Sequence, residues 1–378
     1  MNQNFRFDCV GYALFAALVL LAVPWYLSFD GFELNTFARY LALGMVAMAL
    51  ALSWGYAGIL NLGQAATFGI GAYIMAMHLK LGASAANPGG LPDFMGWTNV
   101  ETLPWFWVPF HSLTVTLLAG VLLPAAVAGV IGTFMFRGRI TGVFVAIITL
   151  ALLVAIQLVF VEYQMYTGGQ NGLTGLAPLV LAGWTADPYS TAFYYFVAGC
   201  LLVATAACVA LTRSKVGLIL RAIKENPDRV RFFGYHVSSF ETVVFCISAM
   251  IAGWAGMLYV LVLEFASPTY MGVPFSLAIV IWCAVGGRNS LVAAALGGIV
   301  VNILEGRLSD LFVEGWTLFL GVTFILVVLF MPDGLFGVFR RIATRLHERL
   351  RRHRNSTAKA LPTGTGAVPA RAGEQGGQ

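Results

Sequence analysis

Two stretches of this 378-residue chain carry polar groups suited to handling a small solute inside an otherwise apolar protein. The first, WGYAGILNLGQAATFGIGAY at 54–73, sets Asn61, Gln64 and Thr67 among five glycines. Amide and hydroxyl side chains at membrane depth need a neighbouring helix or a polar solute as partner. Glycine weakens a helix, and a break here would open backbone groups to a cavity, as in discontinuous membrane helices. Close packing of small residues, with Asn61 tying two helices together, accounts for the same residues. The second stretch, TGGQNGLTG at 167–175, carries Gln170, Asn171 and Thr174. It reads either as a flexible turn or as a gate on a polar solute path.

A third stretch is charged. Residues 213–241 contain RAIKENPDRVRFFGYH, with Glu225, Asp228, Arg229 and Arg231 around the aromatic tip Phe232, Phe233, Gly234 and Tyr235. Two short helices are expected, over 216–225 and 227–233, with Pro227 at the first position of the second. A solvated loop explains the charges but not an exposed pair of phenylalanines. Insertion into a cleft on a cytosolic partner explains both.

Other chemistry is poorly provided for. The chain has no P-loop, so ATP is not expected to be hydrolysed on it. No Ser/His/Asp arrangement or metal-ligand spacing occurs, and the five cysteines are scattered, most in apolar runs. Glu162, Glu264 and Glu305 are the carboxylates near apolar segments, with none spaced to pair deep in a span. A proton-driven carrier needs such groups for its relay, so the driving energy is expected from elsewhere.

The elements that must position these residues are membrane helices. Hydrophobic residues make up 59% of the chain and charged ones 10%, too few to coat a water-facing surface. Apolar blocks near the ~20-residue spanning length predict an all-α polytopic membrane protein. About ten spans are expected: 10–28, 37–55, 62–81, 111–135, 140–162, 191–212, 242–263, 273–287, 291–306 and 315–332. The first, with Pro24, reads as a retained span. Breaks are expected near 54–73 and 273–287. With both termini inside, 19 of the 22 Lys and Arg residues fall on the cytoplasmic side, against Arg39, Lys80 and Arg307 outside. The membrane domain is expected over 1–335. Residues 336–354 read as a basic amphipathic cytoplasmic helix, either lying on anionic lipid or solvated as an orientation anchor, and 355–378 as a disordered tail. The basic charge thus points to lipid and orientation, not nucleic acid. Trp97, Trp105, Phe106 and Trp107 in the outer loop 82–110 suit interfacial anchoring or docking of a partner.

On the motifs at 54–73, 167–175 and 221–236, the chain resembles permease subunits of ABC importers for branched-chain amino acids and related small polar solutes, from about Leu41 to Leu335. The resemblance implies a homologous second permease, two cytosolic ATPases that bind ATP and Mg, a periplasmic solute-binding protein, and no cofactor on this chain. It assigns ATPase coupling to Glu225, Asp228, Arg229, Arg231, Phe233 and Gly234. The family pattern has two small residues four or five positions before the glycine, where this chain has Arg229 and Val230. Residues 91–110, 279–291 and 313–335 resemble the urea branch, so urea or a short-chain amide is the expected solute, with branched-chain amino acids the alternative. A self-contained channel or ion-coupled carrier is the rival class.

Overall fold

The computed structural model describes residues 11–309 apart from 88, 89, 97, 99 and 182, together with 321, 322, 334 and 337. The expected span 315–332, the basic helix at 336–354 and the tail lie essentially outside the described residues. The helices are α1 (Gly11–Tyr26), α2 (Gly31–Tyr56), α3 (Gln64–Ala83), α4 (Leu113–Arg137), α5 (Val143–Glu162) and α6 (Thr191–Arg213). They continue as α7 (Lys215–Glu225), α8 (Pro227–Phe232), α9 (Val237–Leu263), α10 (Val273–Gly286) and α11 (Leu291–Ser309). The all-α expectation has one exception, a hairpin pairing β1 (Leu179–Leu181) antiparallel with β2 (Trp184–Ala186) in register Leu179↔Ala186.

Helix ends follow local chemistry. Asp30 caps α2 by accepting from the Phe32 and Glu33 amides at 2.8 and 3.4 Å, and Ser190 caps α6 through Phe193 N at 3.2 Å. Nine of the expected segments coincide with helices, but helices and crossings are not the same thing. Among the described residues, 5 helices are long and apolar enough to cross a membrane: α2, α4, α5, α6 and α9. The 20-residue α3 is as long as α5 but carries Gln64, Thr67, His78 and Lys80. Protein surrounds it, so it does not need a lipid-compatible surface. The segments expected as separate spans at 273–287 and 291–306 form one bent pair, the chain turning by 119° between α10 and α11.

The core centres on α9, which packs against α2, α3 and α4, while α11 lies along α2. Small residues allow this closeness. A Cβ on Gly256 would lie 2.0 Å from the Phe68 carbonyl, and one on Gly71 only 2.1 Å from the Gly253 carbonyl. Gly253 in turn abuts the carbonyl of Gly120, the group that Pro124, four residues on, has no N–H to pair with. Burial falls outward: 83% of the apolar window of α2 is buried, against 28% in α4 and 22% in α5. The α4 and α5 faces are therefore the ones left to lipid or another chain.

Replacing Gly256 by Leu should lower the thermal unfolding midpoint of the detergent-purified protein through an overpacking cost of about 1–3 kcal/mol. Gly199→Leu, where no atom lies within 4 Å of the added carbon, should leave the midpoint near wild type. Equal midpoints for the two variants would contradict this packing.

Candidate functional site

The candidate site is the interruption between α2 and α3. Regular α-helix runs to Ala51 and continues as a π-helical turn over Leu52–Tyr56. Residues 57–63 then leave the helix, with Gly58 at φ +77°. Backbone polar groups released here sit among apolar helices and must find partners. The Leu62 amide donates to Thr149 Oγ1 of α5 at 3.1 Å, and the Leu62 carbonyl accepts from Ser276 Oγ of α10. The Gly63 amide donates to Asn61 Oδ1 at 2.9 Å. Asn61 Nδ2 donates to Gln64 Oε1 at 2.7 Å, and Gln64 Nε2 donates to the carbonyl of Ser248 in α9 at 3.1 Å. Ser248 Oγ donates to the carbonyl of Ala49 in α2 at 2.6 Å. Thr67 Oγ1 turns back onto the Gln64 carbonyl at 2.8 Å. Asn61, Gln64 and Thr67 are 2%, 0% and 6% exposed. Their polar groups splice the break in this conformation and face protein, not a cavity.

The α2 end of the break is gripped by the charged loop. Lys224 Nζ donates to the Gly55 carbonyl at 2.6 Å and to Asn289 Oδ1, in the α10–α11 turn, at 3.2 Å. The Lys224 stem lies against Gly58, where a Cβ would come within 3.2 Å of its Cγ. Arg221 sits over the Tyr56 ring at 5.1 Å and Arg288 over Trp54 at 5.0 Å. Burial, then the positive charges of Arg288 and Arg221, push the Lys224 ammonium below its ordinary pKa.

The loop itself is built to be stiff. Ser214 caps α7, and Asn226 caps α8 by accepting from the Arg229 amide at 3.0 Å. Ile223, Val230 and Val237 bury a small core with Ile219 and Phe240. Asp228 and Arg231 pair at 2.5 Å, Glu225 and Arg229 are exposed, and Gly234 turns the chain at φ +83°. Beside that turn Phe232 and Phe233 stand 91% and 81% exposed.

At the other end of α3 the stretch 167–175 is tied down, not free. Leu173 and Ala266 exchange backbone hydrogen bonds at 2.7 and 3.2 Å. Thr167 Oγ1 donates to the carbonyl of Phe160 at 2.6 Å. Buried Lys80 donates to the Thr174 carbonyl and to Asp93 Oδ2, both at 2.9 Å, while Asn87 Nδ2 donates to Asp93 Oδ1 at 2.8 Å. The hydrogen bond from Lys80 holds the Asp93 carboxyl below its ordinary pKa. Gln170, Asn171 and Thr174 are exposed. The outer-loop aromatics divide: Trp107 is buried, donating Nε1 to the Tyr166 carbonyl at 3.0 Å, whereas Trp105 is 84% exposed.

The two sequence-predicted polar groups are therefore not one site. Gln64 and Lys80 are sixteen residues apart on one helix, roughly 24 Å. Thr149, Ser248, Ser276, Lys224 and Asn289 complete the arrangement and were not singled out by sequence. Lys224 stood inside the charged motif. The others are isolated polar residues in apolar runs or a turn, whose partners are distant in the chain. Among the described residues no group of three His, Cys, Asp or Glu side chains is placed to hold a metal ion.

Gln64→Leu should destabilise the protein by about 1–3 kcal/mol, because it orphans the buried Asn61 amide and removes the hydrogen bond to α9. Thr67→Val, which breaks only a bond within its own turn, should cost less in the same thermal-unfolding assay; equal losses would argue against the splice. For Asp93, a depressed folded pKa means that its contribution is present above the unfolded value and lost as pH falls through the folded one. Amide protection factors over 90–96 should thus hold from pH 7 down to about 4 and fall below. Loss of protection already near pH 6 would contradict the ion-pair latch.

A family model described as "Branched-chain amino acid transport system / permease component" matches residues 33–328. The high-affinity branched-chain amino acid transport system permease proteins LivM of Salmonella typhimurium and Escherichia coli K12 are each 27% identical over 352 residues, covering 86% of this chain and 74% of theirs. The ribose import permease protein RbsC of Haemophilus influenzae is 24% identical over 277 residues, covering 70% of this chain and 78% of its own. No solved structure matches. With the match running from the first turn of α2 past α11, through both the spliced break and the charged loop, the chain belongs to the permease-component family of branched-chain amino acid transport systems.

Proposed function

We propose that this chain is one of two permease halves of an ATP-driven importer that carries urea or a short-chain amide across a bacterial inner membrane, with both termini in the cytosol. The observation that carries the reading is the link from Phe232 and Phe233, exposed on a stiff helical corner, through Lys224 to the helix break. An ATPase seated on that corner has a mechanical route to the segment whose opening would admit solute. Glu225, Asp228, Arg229, Arg231, Phe233 and Gly234 form the docking surface. ATP and Mg belong to the ATPase subunits, and a periplasmic binding protein delivers the solute. A homologous second permease would cover part of the sparsely buried α4 and α5.

Solute passes Gln170, Asn171 and Thr174 at the outer mouth and then the neck at Asn61, Gln64 and Thr67, whose amides exchange their splice partners for solute when the break opens. Urea is neutral with donors and acceptors on all sides, which suits amides and hydroxyls without a fixed charge. The urea-like stretches support this choice at two structured places. Residues 91–110 include Asp93, which pairs with Lys80, and 279–291 include the α10–α11 turn that meets Lys224. The family description and the LivM relatives favour branched-chain amino acids as the second reading.

In cells carrying the whole system, labelled urea uptake should be competed by unlabelled urea and acetamide and left unaffected by leucine. Leucine competition, or labelled leucine uptake without urea uptake, would transfer the assignment to the second reading. Phe232→Ala/Phe233→Ala should abolish co-purification of ATPase subunits with normal expression of the chain, because neither side chain is needed for folding. Intact co-purification would remove the docking surface from the proposal.

A further inference from the structure

We infer that the cleft between the α4–α5 turn and the α8–α9 corner binds the phosphate headgroup of an anionic phospholipid. The cleft is about 270 Å³ and is lined by Phe136, Arg137, Arg139, Arg231, Tyr235, His236, Val237 and Ser238. Arg231 is paired with Asp228. Arg137 and Arg139 are exposed, and no described residue offers either a hydrogen-bonded carboxylate. Two unpaired guanidinium groups flanking one recess form a fork-shaped donor set matched to phosphate oxygens.

What selects a lipid over free phosphate is the apolar surface beside the cleft. Phe134, at the end of α4, is 78% exposed, and Val143, Phe144 and Ile147, at the start of α5, are 74%, 69% and 56% exposed. These two helices are the least buried of the spanning set. A headgroup in the cleft would lay its acyl chains along them, so one molecule satisfies both the unpaired cations and the bare apolar face. Its phosphate would also bridge the α4–α5 turn to the corner carrying Arg231 and Tyr235, at the base of the exposed aromatic tip. The inference does not depend on which solute is carried.

The test uses the full-length chain in nanodiscs and reads retained phosphatidylglycerol and cardiolipin against phosphatidylcholine by native mass spectrometry. Arg137→Gln/Arg139→Gln should weaken anionic-lipid retention by about fivefold per arginine, roughly 25-fold for the pair. Because these charges also orient the helices, Arg137→Lys/Arg139→Lys keeps the charge and removes the fork. It should insert normally and still lose several-fold in retention. Wild-type retention by the lysine pair would reduce the cleft to diffuse surface attraction and overturn the site. Displacement of lipid by millimolar inorganic phosphate would assign the cleft to a free anion. Unchanged lipid retention in the Gln pair, together with loss of ATPase co-purification, would assign it to the protein partner. Either outcome overturns the inference.

Discussion

A polypeptide that interrupts a helix among apolar neighbours must repair every hydrogen bond it breaks, and much of this structure is arranged around that obligation. The interruption at 57–63 and the helix ends on either side of it are held by Thr149 from α5, Ser248 from α9, Ser276 from α10 and Lys224 from α7. Four elements thereby converge on one short segment. The glycine seam that lets α9 lie against α3 and α4 brings Ser248 within reach, and the bend between α10 and α11 carries Asn289 to the same place. The break is specific once made, because each partner has its own geometry.

The repairs are unequal, and that inequality gives the segment a direction of control. Ser248 belongs to the central helix α9, and Ser276 and Thr149 are buried on α10 and α5, whereas Lys224 belongs to a corner with its own small core and two exposed phenylalanines. In the proposed importer, a force applied at that corner would reach the Gly55 carbonyl and the α10–α11 turn through the Lys224 ammonium, beside the Arg221–Tyr56 contact. Burial, then the charges of Arg288 and Arg221, act against the Lys224 ammonium.

Much of the fold was legible because membrane helices are written in long apolar runs. Nine expected segments coincide with helices, and Pro227 marked the second helix of the charged loop at its first residue. The number of crossings was less legible. Apolar length identifies a helix but does not say whether lipid or protein surrounds it, and α3 is the case in point. The candidate site was half legible: Asn61, Gln64 and Thr67 stand out as polar groups in an apolar run. That Gln64 and the Leu62 backbone spend their bonds on neighbouring helices follows from partners 87, 184 and 214 positions away, about which the local sequence is silent. The stretch at 167–175 looked loose for its glycines, yet Gly172 is where a Cβ would strike the Ala266 carbonyl at 2.0 Å, so that glycine permits pairing instead of flexibility.

The central claim is that Lys224 carries motion from the exposed corner to the helix break. The direct measurement is solute uptake and ATP hydrolysis, side by side, in the reconstituted importer with Lys224→Met, which keeps the aliphatic stem against Gly58 and removes the ammonium. The account predicts that the ATPases still assemble and hydrolyse ATP while uptake falls at least tenfold. Uptake and hydrolysis both at wild-type levels would contradict it.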